Sequence, residues 1–422
     1  MEDQVGDVPQ ISQKEEITQK EKSSKAVLFV CLAVIIALVA VISMIVAPLI
    51  WKDNGSNTNN STSEDNSTNE EKLENTALSS GTVTTVIDGK EVTYNAAYLV
   101  DGIEATIGSG TYESIRDDEN VFLVINGGKL TIKGDDIQIT KGGTQADGRG
   151  DDYSFYGLNS AIVVVGGDSS ATIDGAKITT EAGGANAIVA TKSGQIIIAN
   201  SSIKTSEDGS RGLHATYDGT IEANGVTIST DGQSSASIAT DRGEGTVLAE
   251  NMDLSTSGAG SPLIYSTGNI TVNYSTGTAA GAQIAVVEGS NSISIEDCDF
   301  STNGHGNRNN VDNAGIMIYQ SMSGDAAEGK GTFSAKDSTL SILTNSDIYS
   351  TVPLFFVTNT TADINLDNTI MNYAPTAYFV SARGTSEWGR SGSNGGKVVV
   401  TLTNGSVAGP VDVDRISSYT TE

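Results

Sequence analysis

The sequence predicts an all-β solenoid, and three observations lead to this prediction. Short runs of β-branched and apolar residues alternate with turns of Gly, Asn, Asp and Ser, without helical spacing between them. The runs recur with a step of about 25 residues, as a series of threonines shows: Thr180, Thr205, Thr230, Thr256 and Thr302. Only 5% of the residues are aromatic and 47 are glycine, which suits a thin core of small side chains.

Each repeat is predicted to hold three strands. Residues 188–196 align with 213–221 and with 263–270 as an apolar run, a polar turn and a second run, and a third run follows. Such units bury a core only by stacking, and parallel crossovers are right-handed by default. The expected fold is therefore a right-handed single-stranded parallel β-helix of about ten coils. Their first strands should start near these residues: Val121, Ala161, Ala187, Gly212, Ser237, Pro262, Gln283, Gly315, Pro353 and Ala377.

The two faces of each strand are expected to differ. Ile, Val, Leu and Ala at alternate positions would fill the interior, and Thr, Ser, Asn and Asp of the other parity would face water. The threonine series then forms one outer column, which β-propensity and stacked hydroxyl contacts explain. A flat ice-binding face, which needs parallel columns, is the less favoured interpretation.

A transmembrane helix is predicted ahead of the coils. Residues 26–51 form an apolar run broken only by Cys31, Ser43 and Pro48, long enough to cross about 30 Å of hydrocarbon. The run exceeds a usual signal-peptide core and no small-x-small cleavage site closes it, so we expect an uncleaved anchor. Four lysines precede it and only Lys52 follows closely, which places the N-terminus in the cytoplasm.

The chain thus divides into four predicted segments. The segment after the membrane helix is rich in Ser, Thr and Asn and has no apolar period, as in a disordered stalk. Residues 82–114 are expected to cap the β-helix. The four segments are a cytoplasmic tail at 1–25, the transmembrane helix at 26–51, the stalk at 52–80 and the extracellular β-helix with its N-terminal cap at 81–422.

The net charge of −28 narrows the choice of partners. It makes nucleic acid and anionic lipid surfaces poor ligands, so no nucleic-acid partner is expected. Acidic turns leave Ca²⁺ as the candidate cation, but no loop has the alternating Asp spacing that would supply its six to eight oxygens. No metal ligand is therefore assigned and no other cofactor is expected. Cys31 lies within the predicted membrane helix and Cys298 in a predicted strand, so the two cannot pair within one chain.

Five insertions interrupt the repeat, and loops on a regular scaffold are where binding residues concentrate. Three follow a third strand and should emerge along one edge, at 142–158, 303–313 and 345–351. Two follow a first strand and should line a second edge, at 321–330 and 382–395. Four of the five belong to coils seven to ten, so we expect the functional surface at that end.

Large aromatic and cationic side chains in these loops are the candidate binding residues. An exposed ring offers a flat surface to a sugar, and Trp388, in polar surroundings with Arg390 close by, is the foremost candidate. For Phe155 and Tyr156 the alternative is that they pack their loop back onto the coils. The candidate residues are Trp388, Tyr153, Tyr156, His305, Arg308 and Arg390.

Residues 112–417 resemble the Gly/Ser/Thr-rich right-handed β-helix proteins of bacterial cell surfaces. These are described as adhesin-like and share the pectate-lyase type of superfold. The resemblance covers about 300 residues and implies surface exposure with attachment or carbohydrate contact, but it transfers no catalytic residue. It is carried by these stretches: 155–159, 239–243, 264–268, 287–293, 318–321 and 392–396.

The sequence therefore predicts a membrane-anchored, extracellular, non-catalytic adhesin or glycan-binding surface protein. Its partner would be an extracellular glycan or a host surface protein, and residues 26–51 would contact the lipid bilayer. One alternative is a polysaccharide lyase or glycoside hydrolase on the same superfold. Gly304-His305-Gly306 is similar to the histidine motif of polygalacturonases, but the carboxylates that such enzymes need do not accompany it. A passive spacer or coat protein is the other alternative.

Overall fold

A computed structural model describes most of the predicted solenoid. The described residues are 75–145, 150–308, 310–321, 323–385, 387–388, 395–413 and 418–421. Among them no helix has the length and apolar character that a membrane crossing requires. The predicted tail, the membrane helix, all but the last six residues of the stalk, and Arg390 lie outside the described residues.

The described chain is all-β apart from one short helix, α1 (Asp152–Tyr156). Gly and Asn/Asp turns separate the strands; Asn200, for example, adopts a φ of 47° between two of them. The strands in chain order are β1 (Gly81–Ile87), β2 (Lys90–Asp101), β3 (Glu104–Ile107), β4 (Gly110–Ser114), β5 (Glu119–Ile125), β6 (Lys129–Lys141), β7 (Ile162–Val165), β8 (Ser170–Thr180), β9 (Ile188–Thr191), β10 (Gln195–Ala199), β11 (Ser202–Thr205), β12 (Leu213–Ala215), β13 (Gly219–Asn224), β14 (Thr227–Thr230), β15 (Ile238–Thr240), β16 (Gly245–Glu250), β17 (Asp253–Thr256), β18 (Ile264–Ser266), β19 (Asn269–Asn273), β20 (Thr276–Ala279), β21 (Ala285–Glu288), β22 (Ser292–Glu296), β23 (Asp299–Thr302), β24 (Ile316–Tyr319), β25 (Lys330–Lys336), β26 (Thr339–Ile342), β27 (Phe355–Thr358), β28 (Thr361–Asp367), β29 (Ile370–Asn372), β30 (Val380–Ala382), β31 (Lys397–Thr403), β32 (Val411–Val413) and β33 (Ser418–Thr421).

The strands stack into long parallel sheets. The first sheet runs β1-β2-β5-β7-β9-β12-β15-β18-β21-β24-β27-β30-β32, and only its β1–β2 hairpin is antiparallel. The second and third strands of each coil form two further parallel stacks, which β6 and β8 join because each runs through both. This is a solenoid of parallel sheets consistent with a β-helix; its right-handed coiling stays a prediction.

The predicted repeat is confirmed in position. The first strands of the ten coils begin within three residues of the predicted starts. The segment expected to form the N-terminal cap differs from that expectation, because part of it already forms a coil. β2 pairs in parallel with β5, and β3 and β4 pair with β6.

The interior is narrow, as the composition indicates. Inward residues of the first sheet stack in columns, for example Ile188, Leu213 and Ile238. Toward the C-terminal coils aromatic rings replace the small side chains. Phe355 lies with its ring centroid 5.8 Å from Phe333 and 5.6 Å from Phe379.

The threonine column does not face water, which corrects the sequence-based expectation. All five threonines are buried. Each lies two residues after an inward-facing side chain, such as Ile203 before Thr205, and residues two apart in a strand share a face. The Thr205 hydroxyl donates to the Ser210 carbonyl at 2.6 Å, and that of Thr256 to Ser261 at 2.5 Å. The column therefore lies inside the solenoid, where four of its five hydroxyls donate to carbonyls of the turns.

Candidate functional site

The outer face of the first sheet is covered at both ends. Near the N-terminus, the β1–β2 hairpin and α1 pack on Leu123, Val163 and Val189. Toward the C-terminal coils, Trp388 packs over Met317 and Phe356. Between these two covered regions, the outer face of the first sheet lies at the bottom of a cleft.

The cleft encloses a cavity of about 280 Å³. Its floor includes Tyr265, Val286 and Met317, which occupy one outward column of the first sheet. Three of the five predicted insertions supply its walls, through Arg308, Asp325 and Trp388. The loops of both expected edges thus meet over one patch of sheet, because equivalent turns stack along a solenoid.

An aromatic and cationic wall stands on one side of the cleft. The half-buried Trp388 ring meets Tyr319 edge-on, with centroids 4.5 Å apart and an interplanar angle of 65°. The exposed Arg308 guanidinium lies over the Trp388 ring, 4.2 Å from its centroid, in a cation–π contact. Trp388 therefore presents a ring that is held in place by both neighbours.

Glu288 is the centre of a hydrogen-bond network on the floor. It is 1% exposed, and its Oε2 accepts hydrogen bonds from the hydroxyls of Tyr265 at 2.5 Å and Tyr319 at 2.7 Å. The Ser321 hydroxyl donates to its other oxygen. Burial raises the pKa of both tyrosines well above the usual value, so the phenols stay protonated as donors.

Asp241 is a second buried carboxyl beside the cleft. Burial raises its pKa to about 6, against the opposing effect of Arg211, whose guanidinium lies 3.4 Å away. Arg211 also donates to the Ser154 hydroxyl of α1 at 2.5 Å and so links the N-terminal cover to the cleft. The next residue, Arg242, pairs with Asp325 through its Nε at 3.1 Å.

Asp241→Asn should change how stability depends on pH. The folded pKa of about 6 exceeds the usual 3.8, so the folded state binds more protons than the unfolded state between these values. The contribution of Asp241 is fully present below pH 3.8 and is lost as pH rises through 6, by about 3 kcal/mol in total. Urea unfolding of both proteins from pH 4 to 7 should show the wild type losing stability relative to the variant. A constant difference would contradict the raised pKa.

The predicted binding residues fall into different places. Trp388 and Arg308 come together in the cleft wall. His305 does not line the cavity; its Nε2 lies 2.7 Å from Asp347 and so joins two insertions of one edge. Arg390 lies outside the described residues, so its role stays a prediction.

Tyr153 and Tyr156 are buried, unlike the exposed rings that the sequence suggested. They are 2% and 5% exposed, because α1 packs on the apolar outer face of the first sheet. The Tyr153 hydroxyl donates to Asp118 at 2.7 Å, and the Tyr156 ring stacks on Tyr217 at 5.6 Å. The alternative of a loop packed back onto the coils therefore describes Phe155 and Tyr156.

Sequence reasoning missed two buried carboxylates, one on the floor of the cleft and one beside it. Asp241 and Glu288 occupy the position after a first strand's apolar residues where Thr216 and Thr267 stand in other coils. A carboxylate at a register position that several other coils fill with Thr was the available signal. Among the described residues no group of three or more His, Cys, Asp or Glu side chains is arranged to hold a metal ion.

Fold and cleft together define a solenoid protein of parallel sheets with a loop-walled site on its first sheet. No protein-family model matches the chain, and no curated protein matches it. Among solved structures, it is similar to the crystal structure of an alginate lyase from Paenibacillus sp. str. FPU-7. The identity is 11%, over 73% of this chain and 99% of that chain, and the TM-score is 0.30. A likeness this slight supports no statement about function.

Proposed function

We propose that the protein is an extracellular glycan-binding surface protein and that the cleft on the first sheet is its binding site. The observation that carries the proposal is the wall of Trp388, fixed between Tyr319 and Arg308 above a polar floor. A sugar has an apolar face that stacks on a ring and hydroxyls that bond to fixed polar groups. Pockets that combine aromatic surface with a few placed polar groups are typical ligand sites.

The state of the carboxylates favours binding over catalysis. Glycosidases use two carboxyl groups that flank the scissile bond, one as acid and one as base or nucleophile. Here the oxygens of Glu288 already accept three hydroxyl hydrogen bonds, and Asp241 is paired with Arg211. Glu288 instead fixes the hydroxyls of Tyr265 and Tyr319, whose oxygens can accept hydrogen bonds from a sugar.

One observation favours depolymerisation of a polysaccharide as the second candidate. Asp241 has a pKa raised to about 6, and a general acid works best with a pKa near the working pH. Arg211, which pairs with Asp241, and Tyr265 line the adjoining cleft and would accompany it. This candidate predicts shortened polysaccharide chains, which the binding function does not.

Anchoring in the membrane is a further part of the proposal. Residues 26–51 would form the single transmembrane helix, with a cytoplasmic N-terminus and the solenoid outside the cell. This arrangement would present the cleft to extracellular glycans or host surface proteins. It rests on the length of the apolar run and on the lysines before it.

Trp388→Ala should weaken glycan binding by about 30-fold, or roughly 2 kcal/mol, as expected for the loss of a central aromatic contact. The measurement is binding of the full chain to a glycan array, followed by titration of the selected glycan. Tyr274→Ala is the matched control, because this ring is 55% exposed on the turn between β19 and β20 and does not line the cleft. Equal loss in both variants, or no selective binding by the wild type, would contradict the proposal. Chain shortening would support the enzyme instead.

A further inference from the structure

A second cavity adjoins the cleft on the first sheet. It has a volume of about 880 Å³ and is lined by Lys192, Tyr217 and Arg242, among others. Ser323 and Asp325 line both cavities. The two cavities are therefore separated by one short segment, residues 323–327, which we call the strap.

The strap is fixed at its base by the neighbouring coil and by the residue that follows β24. The carbonyl of Ala327 accepts a hydrogen bond from the Ser290 N–H at 2.9 Å, and that of Ala326 from Gln320 at 3.3 Å. Gly289 permits this close approach, because a Cβ there would lie 2.4 Å from the Ala327 carbonyl oxygen. The base of the strap is thus held largely by backbone contacts.

The middle of the strap is held by an ion pair with a distant coil. Asp325 accepts hydrogen bonds from both Nε and Nη2 of Arg242. The strap follows β24 and Arg242 follows β15, three strands away in the order β15-β18-β21-β24. With strands about 4.8 Å apart, the strap reaches back about 14 Å along the stack.

This ion pair is partly accessible to water. The side chains of Arg242 and Asp325 are 37% and 21% exposed, so salt screens the pair in part. Release of Asp325 would leave the base of the strap attached. The strap can therefore lift without loss of the coils beneath it.

We infer that the two cavities are parts of one groove for an extended glycan chain. The Arg242–Asp325 ion pair crosses this groove and must open before one chain can occupy both cavities. This inference rests on the proposed glycan-binding function. The first cavity lies just below the size range of small-ligand sites, so a ligand confined to it is short. The second cavity continues the site with another aromatic ring, Tyr217, and with polar side chains. Lifting the strap joins them, so a longer chain gains contacts in both.

The experiment compares Asp325→Asn with the wild-type full chain. On an array of oligosaccharides of graded length, the ratio of long-chain to short-chain binding should rise several-fold in the variant, whatever the loss of the Asp325 charge does to short chains. Amide hydrogen exchange of residues 323–327 should become several-fold faster, because the strap opens more often. Asp325→Glu keeps the charge and should resemble the wild type.

Asp363→Asn is the matched control, because it removes a comparable ion pair, with Lys330, that does not border either cavity. It should leave both readouts unchanged. Unaltered hydrogen exchange in Asp325→Asn would refute the claim that the ion pair holds the strap down. Faster exchange with an unaltered length profile would refute the claim that the two cavities form one groove. If the wild type binds no glycan, the proposed function fails and the groove fails with it. If the wild type binds glycans but length has no effect in the variant, only the groove fails.

Discussion

Gly258→Ala is expected to lower the free energy of unfolding by about 3 kcal/mol. A Cβ at this position would lie 1.8 Å from the Gly232 carbonyl oxygen in the preceding coil. The obstacle is backbone, so no side-chain rotation relieves it. Gly232 and Gly281 are confined in the same way. A Cβ built at either residue would lie 2.0 Å or 2.4 Å, respectively, from a backbone carbonyl oxygen of the preceding coil. The substitution should therefore push two coils apart along the stack.

Urea unfolding followed by far-ultraviolet circular dichroism measures this effect. Gly395→Ala is the control, because no heavy atom lies within 4 Å of a Cβ built there. Its stability should stay within about 0.5 kcal/mol of the wild type. Equal midpoints for Gly258→Ala and the wild type would show that the turns are not stacked as closely as described.

Phe355→Ala should cost about 3–5 kcal/mol, the usual range for truncation of a buried phenylalanine. The ring is 0% exposed and contacts Phe333 and Phe379 edge-on, so its removal leaves a void between rings of neighbouring coils. Small side chains elsewhere in the interior cannot move in to fill it, because each is held in its own strand.

The same unfolding measurement applies to this variant. Tyr378→Ala provides the matched control, because its ring is 43% exposed beside the buried Phe379. Its loss should be below 1 kcal/mol. A loss for Phe355→Ala no larger than for Tyr378→Ala would refute the interior stacking of the aromatic rings.

Most of the fold was predictable from the sequence because the interior repeats a simple requirement. Every coil must place small apolar side chains at the same inward positions, so residues such as Ile188, Leu213 and Ile238 recur with the period of the coil. Polarity alone could not predict whether the threonine column faces the interior or water. Thr205 is polar but lies inward, because a turn carbonyl accepts its hydroxyl hydrogen.

The site was predictable only where it lies in loops. Trp388 and Arg308 interrupt the repeat and could be singled out, whereas Asp241 and Glu288 lie within it and look like ordinary coil residues. These two residues lie in one column because the coils stack in register, and a linear motif does not show that stacking. Tyr156 shows the opposite problem: an aromatic ring in a loop has the same sequence context whether it meets a ligand or the outer face of a sheet.

The pairing of each strand only with the coils before and after it has a mechanical consequence. Tension applied along the axis would load the hydrogen bonds between neighbouring coils a few at a time, as in unzipping. Coils would then peel away one after another, each releasing about 25 residues, or roughly 80 Å of slack, before the next is strained. A solenoid built in this way would absorb a sudden pull gradually and keep its inner coils intact.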